Sequence, residues 1–280
     1  MHVSHTCKSC GNIFAGKYCN SCGEKRIEPA DLSIWHYVSS IFQALTSTDH
    51  KLWRTLKVIL MSPGTLSRYY MEGRRIQYLT PVSIFFLANL IYFLIPYFET
   101  FNSSLHTQTH LLPHSKIALE MVNEYLEKHQ LNEQEFRKMY EAKSTETAKL
   151  LLIALVMLTS LPIGLINFRK QPYISGHITF AFETVTFNLL VNTIALSTLA
   201  AIVVYIAEAV QANPGFFLND RLFSFISAGT NFYFLYTGER NFYACTRAGS
   251  IWRATAMIMG IYSMLTLYRI LLFFITFFLL

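Results

Sequence analysis

An all-α, multi-pass transmembrane fold of about four or five spans, fronted by a small cysteine-rich head, is the fold class this sequence predicts, on three observations. The composition is 52% hydrophobic and 15% aromatic with only 14% charged residues, against about 25% charged in soluble domains. Five stretches, 79–98, 149–168, 178–207, 222–238 and 252–280, approach the roughly 20 apolar residues that a bilayer core requires of a helix. The fourth is short and polar, with Asn231 and several Ser and Thr residues. Four of the five cysteines form two matching knuckles, Cys7-Lys8-Ser9-Cys10-Gly11 and Cys19-Asn20-Ser21-Cys22-Gly23.

The first 30 residues contain no apolar core of a cleavable signal, so the first span is expected to act as the insertion signal and leave the amino terminus in the cytoplasm. Charge counts agree. Residues 1–78 carry 10 Lys/Arg against 5 Asp/Glu, and 99–148 carry 5 against 8. Segment 169–177 adds Arg169 and Lys170 without an acid, and 239–253 adds Arg240, Arg247 and Arg253 against Glu239. With five spans, all three basic-rich segments fall on one side, the cytoplasmic side by the positive-inside rule. Loop charges of this kind account for the net charge of +6 without any nucleic-acid partner.

In a reducing cytoplasm, paired Cys-x-x-Cys hooks bind metal rather than form disulfides. Residues 1–28 are therefore expected to form a zinc ribbon with Cys7, Cys10, Cys19 and Cys22 as ligands of a structural Zn²⁺. Iron, or an empty redox pair, are the other occupants such hooks allow. Gly11 and Gly23 permit the positive-φ turn that brings amide N–H groups back toward the thiolates. Lys8, Lys17, Lys25 and Arg26 offset the −2 charge of a Zn(Cys)₄ centre. Phe14 and Tyr18, between the hooks, are expected to form the small core of a domain that folds on its metal. Cys245 stands alone in a loop, as a packing residue.

Residues 29–78 read as amphipathic interfacial helices. Asp31 caps the first, with Ile34, Trp35, Val38, Ile41, Phe42 and Leu45 on one face, and the second carries Leu52, Trp53, Leu56, Ile59 and Leu60 with Lys51, Arg54 and Lys57 elsewhere. Trp35, Trp53 and the cations suit a lipid surface, while packing under the head is the other reading. Pro63-Gly64 stops the second helix, Gly73 ends a short third one, Arg74 and Arg75 sit at headgroup level, and Pro81 opens the first span. The double knuckle, Thr55-Leu56-Lys57, Ser62-Pro63-Gly64-Thr65 and the run from Tyr69 to Pro81 resemble a bacterial membrane-protein family catalogued as domain of unknown function 3667. Residues 7–98 carry this pattern. His177 through Glu183, Asn231-Phe232-Tyr233 and Arg240-Asn241-Phe242-Tyr243 resemble the family's later helices more weakly, with Glu183 where members usually have histidine. The resemblance implies a zinc-ribbon head on a multi-pass membrane protein and supplies no activity.

Inside the membrane the polar residues are Glu183, Thr184, Asn188 and Asn192, the last three at i, i+4, i+8 on one face, and Arg269 near the carboxyl end. Ionisable groups in spans default to a functional hypothesis. Asparagines at this spacing more often tie helices together, and Arg269 fits snorkelling, or an outer boundary with an apolar tail folded back. Segment 99–148, with Leu119, Val122, Leu126, Phe136, Met139 and Tyr140, reads as an external helical hairpin between spans of a 79–280 membrane domain.

No H-E-x-x-H, G-x-S-x-G, phosphate-binding glycine loop or Asp-rich diphosphate motif occurs, so the sequence leans away from an enzyme without excluding one. Three function classes are open. A scaffold or assembly factor would dock a protein partner through the zinc head, and neutralising Glu183 should then matter little. A transporter or channel would use the polar third span. A lipid-modifying enzyme would use His177, Glu183 and the arginines. The first fits most features, with membrane lipids as the other partner.

Overall fold

The computed structural model describes residues 5–7, 11–16, 18–21, 51–74, 77–94, 101–210 and 220–280. Cys10, Cys22, Gly23, Trp35, Arg75 and the helix expected from Asp31 lie outside these residues. The chain divides into two units, Met1–Lys51 and Leu52–Leu280.

In the first unit, β1 (His5–Thr6) pairs antiparallel with β2 (Ile13–Phe14), His5 opposite Phe14. The turn between them follows the knuckle: Gly11 adopts φ +72°, its N–H donates to the Cys7 carbonyl at 2.9 Å, and the Cys7 N–H donates to the Asn12 carbonyl at 2.8 Å. Cys7, Phe14 and Cys19 form one buried cluster. Tyr18 is 62% exposed and lies outside that cluster, a correction to the expected core.

The second unit is helical. Helix α1 spans 51–61, and α2 is Thr65–Met71. Then follow α3 (Pro81–Leu94), α4 (Leu105–His110), α5 (Ser115–His129) and α6 (Glu133–Asn167). Helix α7 (Ile174–Phe187) runs through a π-helical stretch, Asn188–Ala195, into α8 (Leu196–Ala209). The chain closes with α9 (Asp220–Asn241) and α10 (Arg247–Phe278). Among the described residues, three helices are long and apolar enough to cross a membrane: Glu133–Asn167, Ile174–Ala207 and Arg247–Phe278. The segment expected at 79–98 appears as the 14-residue apolar helix α3.

Helix α6 runs without a break from the segment expected as part of a hairpin into the apolar stretch expected as the second span. Asn132 caps it with a full capping box, its side chain accepting from the Glu135 N–H at 2.8 Å, and no proline interrupts it before Pro162. At 1.5 Å per residue the helix is about 52 Å long. A hydrocarbon core of about 30 Å takes only about 20 of its residues, so its charged first four turns project beyond the apolar layer. There they form a lobe with α4 and α5, in which Leu105, Ala118, Val122, Phe136, Tyr140 and Phe273 are buried together. Leu119 and Met139 are 39% and 41% exposed, while Val122, Phe136 and Tyr140 are buried as expected and Ala118 takes the inward place beside Leu119. The end of α10 supplies Phe273, Phe274 and Phe277 to this lobe, so the apolar tail continues as a helix rather than folding back.

The main core joins Ile59 and Leu66 to Phe85, Leu152, Phe180, Phe234 and Met257. Helix α1 thus packs its Leu52, Leu56, Val58 and Ile59 against the membrane bundle, while Trp53 is 69% and Met61 70% exposed. One face of α1 thus serves the core of the bundle and the other carries exposed apolar side chains.

Candidate functional site

The site is assembled around the turn between α1 and α2. Gly64 sits at φ +80° as the N-cap of α2 and makes no side-chain cap bond, because it has no side chain to offer. The cap comes from another helix. The fully buried Glu183 of α7 accepts the Gly64 N–H at 2.8 Å and the Ser67 N–H at 2.9 Å, and the Ser67 hydroxyl also donates to it. A carboxylate facing the free N–H groups of a first turn satisfies their hydrogen bonds and the positive end of the helix dipole together.

Helix α9 closes the other side. Asn241 Nδ2 donates to the Pro63 carbonyl at 2.9 Å, Arg68 donates to the Asn241 carbonyl at 3.3 Å, and the Tyr233 hydroxyl reaches the Leu60 and Met61 carbonyls at 3.2 and 3.3 Å. Gly238 lets the backbones touch: a Cβ on Gly64 would stand 2.8 Å from the Gly238 Cα, and a Cβ on Gly238 2.4 Å from the Phe180 ring. The Pro63-Gly64 segment and the two weaker segments at 177–183 and 231–243, distant in sequence, therefore form one interlocked latch.

A second buried polar group lies where α6, α9 and α10 meet. Asn167 Nδ2 donates to Glu239 Oε1, Arg253 donates to Asn167 Oδ1 and to the Ile166 carbonyl at 3.3 Å, and Cys245 Sγ donates to Glu239 Oε2 at 3.3 Å. Asn167 thus relays between a buried carboxylate and a guanidinium. Burial, reinforced by the Glu239 carboxylate, pushes the Cys245 thiol up, which keeps it protonated and a poor nucleophile. Beside this group His177 Nε2 donates to the Gln171 carbonyl at 3.0 Å, so its Nδ1 accepts the Tyr243 hydroxyl at 2.9 Å. Sequence reasoning counted Glu239 only as a loop charge and missed Asn167. The one available signal was an acid standing alone in a segment with three arginines.

The asparagines tie helices together. Asn192 donates to Asn188 at 2.9 Å, Asn188 to Asn231 of α9 at 2.9 Å, and Thr230 of α9 to Asn192 at 2.6 Å. The other residues singled out from the sequence lie apart. Arg269 is in α10 beneath the lobe: its backbone carbonyl accepts from Gln108 Nε2 at 3.1 Å, and its Nε is buried without a hydrogen-bond partner among the described residues. Arg74 is exposed, pairs with Glu72 at 3.2 Å and lies over the Tyr69 ring at 5.3 Å. Of the four cysteines in the head, Cys7 and Cys19 are buried beside Phe14, while Cys10 and Cys22 fall outside the described residues. No group of three or more His, Cys, Asp or Glu side chains suited to a metal occurs among the described residues.

Residues 49–93, which contain α1, the latch turn, α2 and most of α3, match the model of a family described as "Protein of unknown function (DUF3667)", the family that the sequence motifs resemble. No curated protein and no solved structure matches the chain.

Proposed function

We propose that this integral membrane protein is a scaffold or assembly factor of the bacterial inner membrane, with about four or five spans and a cytoplasmic zinc ribbon as its docking head. The observation that carries this reading is how the membrane body uses its polar groups. Glu183 spends its acceptors on the Gly64-Ser67 turn, and Asn188 and Asn192 bond to α9. These groups, which a transporter or a lipid-modifying enzyme would need free, serve to lock helices together, and that is what a rigid platform requires. The head is separate in composition and carries a ligand set for a closed, structural zinc site rather than one with an open position. Cys7, Cys10, Cys19 and Cys22 would hold the metal, whose contribution is to fold the head. The Lys/Arg asymmetry supports a cytoplasmic head.

Purification in gentle detergent from inverted membrane vesicles tests this. The expected result is one zinc per chain and a stoichiometric protein partner, both lost in Cys19→Ser while the membrane body still inserts. Zinc below half an equivalent in the wild type, or a partner that stays bound to Cys19→Ser, contradicts it, as does cleavage of the head at Lys25-Arg26 by trypsin added to intact cells.

A further inference from the structure

Helix α1 and the chain leading into α3 enclose an open cleft of about 430 Å³ lined by Arg54, Lys57, Val58, Gln77 and Tyr78. Its walls are pinned. The Leu79 N–H donates to the Thr55 hydroxyl at 2.9 Å, and the Tyr78 ring rests 5.3 Å from that of Tyr69. Among the described residues, the charge in the cleft has no acidic partner. Glu72, the nearby acid, is engaged by Arg74 at 3.2 Å and Arg68 at 3.9 Å, and among the described residues neither Arg54 nor Lys57 pairs with a carboxylate. They lie at i and i+3 of one helix, where like charges repel, so an anion seated between them relieves a standing cost.

The surroundings say where that anion comes from. Trp53 and Leu60 flank Lys57 on the same face of α1, and both are exposed, as is Met61. Three residues after Tyr78 the chain enters the apolar helix α3 at Pro81. Cations, a tyrosine hydroxyl and a glutamine amide beside exposed Trp, Leu and Met side chains, at the mouth of an apolar helix, form the arrangement of a membrane interface. We infer that this cleft binds the phosphate of an anionic phospholipid headgroup, with Arg54 and Lys57 as the charge partners, Tyr78 and Gln77 as neutral donors, and Trp53 and Leu60 against the start of the acyl chains. The inference rests on residues 51–81 lying at the membrane surface and is independent of what the head docks.

The test uses the purified full-length protein in mixed micelles of a neutral detergent, titrated with phosphatidylglycerol, phosphatidylcholine or inorganic phosphate. Phosphatidylglycerol should bind the wild type, and Arg54→Gln/Lys57→Gln should weaken that binding about tenfold or more, the scale expected for two cations near an anionic surface. Phosphatidylcholine should bind both weakly. Both side chains are exposed, so the variant should melt like the wild type, and Arg54→Lys/Lys57→Arg should keep most of the affinity. Unchanged phosphatidylglycerol affinity in the glutamine variant overturns the site. Binding of inorganic phosphate as tight as that of the lipid overturns the lipid as its ligand.

Discussion

Gly64→Ala is expected to destabilise the membrane body by about 2–5 kcal/mol. Two costs add. Position 64 lies at φ +80°, a left-handed conformation that costs a residue with a Cβ about 1–2 kcal/mol. The new methyl would also stand 2.8 Å from Gly238 Cα and 3.0 Å from Gly238 O. Those are backbone atoms of a packed helix and cannot rotate away, and overpacking of that kind costs about 1–3 kcal/mol. Gly73 separates the two contributions, because it shares the left-handed conformation at φ +85° but has nothing within 4 Å of a built Cβ. Thermal unfolding in detergent should therefore show a small loss for Gly73→Ala and a large one for Gly64→Ala. Equal losses would mean that the approach of Gly64 to Gly238 contributes nothing.

Glu183→Ala should be comparably damaging through a different route. It strands the Gly64 N–H, the Ser67 N–H and the Ser67 hydroxyl in a buried turn, at about 1–3 kcal/mol for each unmet donor that water does not reach. Glu183→Gln keeps one acceptor oxygen but turns an NH₂ toward the remaining donors, so it should fall between alanine and wild type. Ser67→Ala removes one donor with its demand and should be the mildest of the three. The ordering Ala, Gln, Ser67→Ala in decreasing loss of thermal stability checks this, and wild-type melting of Glu183→Ala would contradict the latch. This geometry also corrects the expectation that neutralising Glu183 matters little in a scaffold. The carboxylate supports the fold whatever the protein does, so its loss cannot separate a scaffold from a transporter or an enzyme.

The spans were legible where the physics is local. Apolar runs marked 149–168, 178–207 and 252–280, and each coincides, to within two residues at its end, with part of a helix of sufficient length. Pro63-Gly64 and Gly73 marked helix ends because conformational freedom at single residues decides them. The continuity of α6 was not legible: residues 133–148 have a soluble amphipathic composition, and only the absence of a breaker before Pro162 hinted that one helix serves both the lobe and the bilayer. Asn188 and Asn192 were correctly placed on one face by their i, i+4 spacing, but Asn231 and Thr230, their partners, come from another helix. The role of Glu183 was hidden for the same reason. Burial depth suggested a charge near an interface, whereas its partners lie 116 and 119 positions earlier in the chain, and no periodicity in the sequence connects positions that far apart.

The central claim is that function passes through the cysteine-rich head while the membrane body is a platform. It is tested most directly by expressing residues 31–280 in a strain that lacks the protein and scoring its growth phenotype alongside the amount of membrane-inserted protein. On the proposed reading the head folds on its own metal and is separable from the helices, so the headless protein should insert at near wild-type levels and fail to restore the phenotype, as should full-length Cys19→Ser. Full restoration by the headless protein would contradict the claim and move the activity into the membrane body.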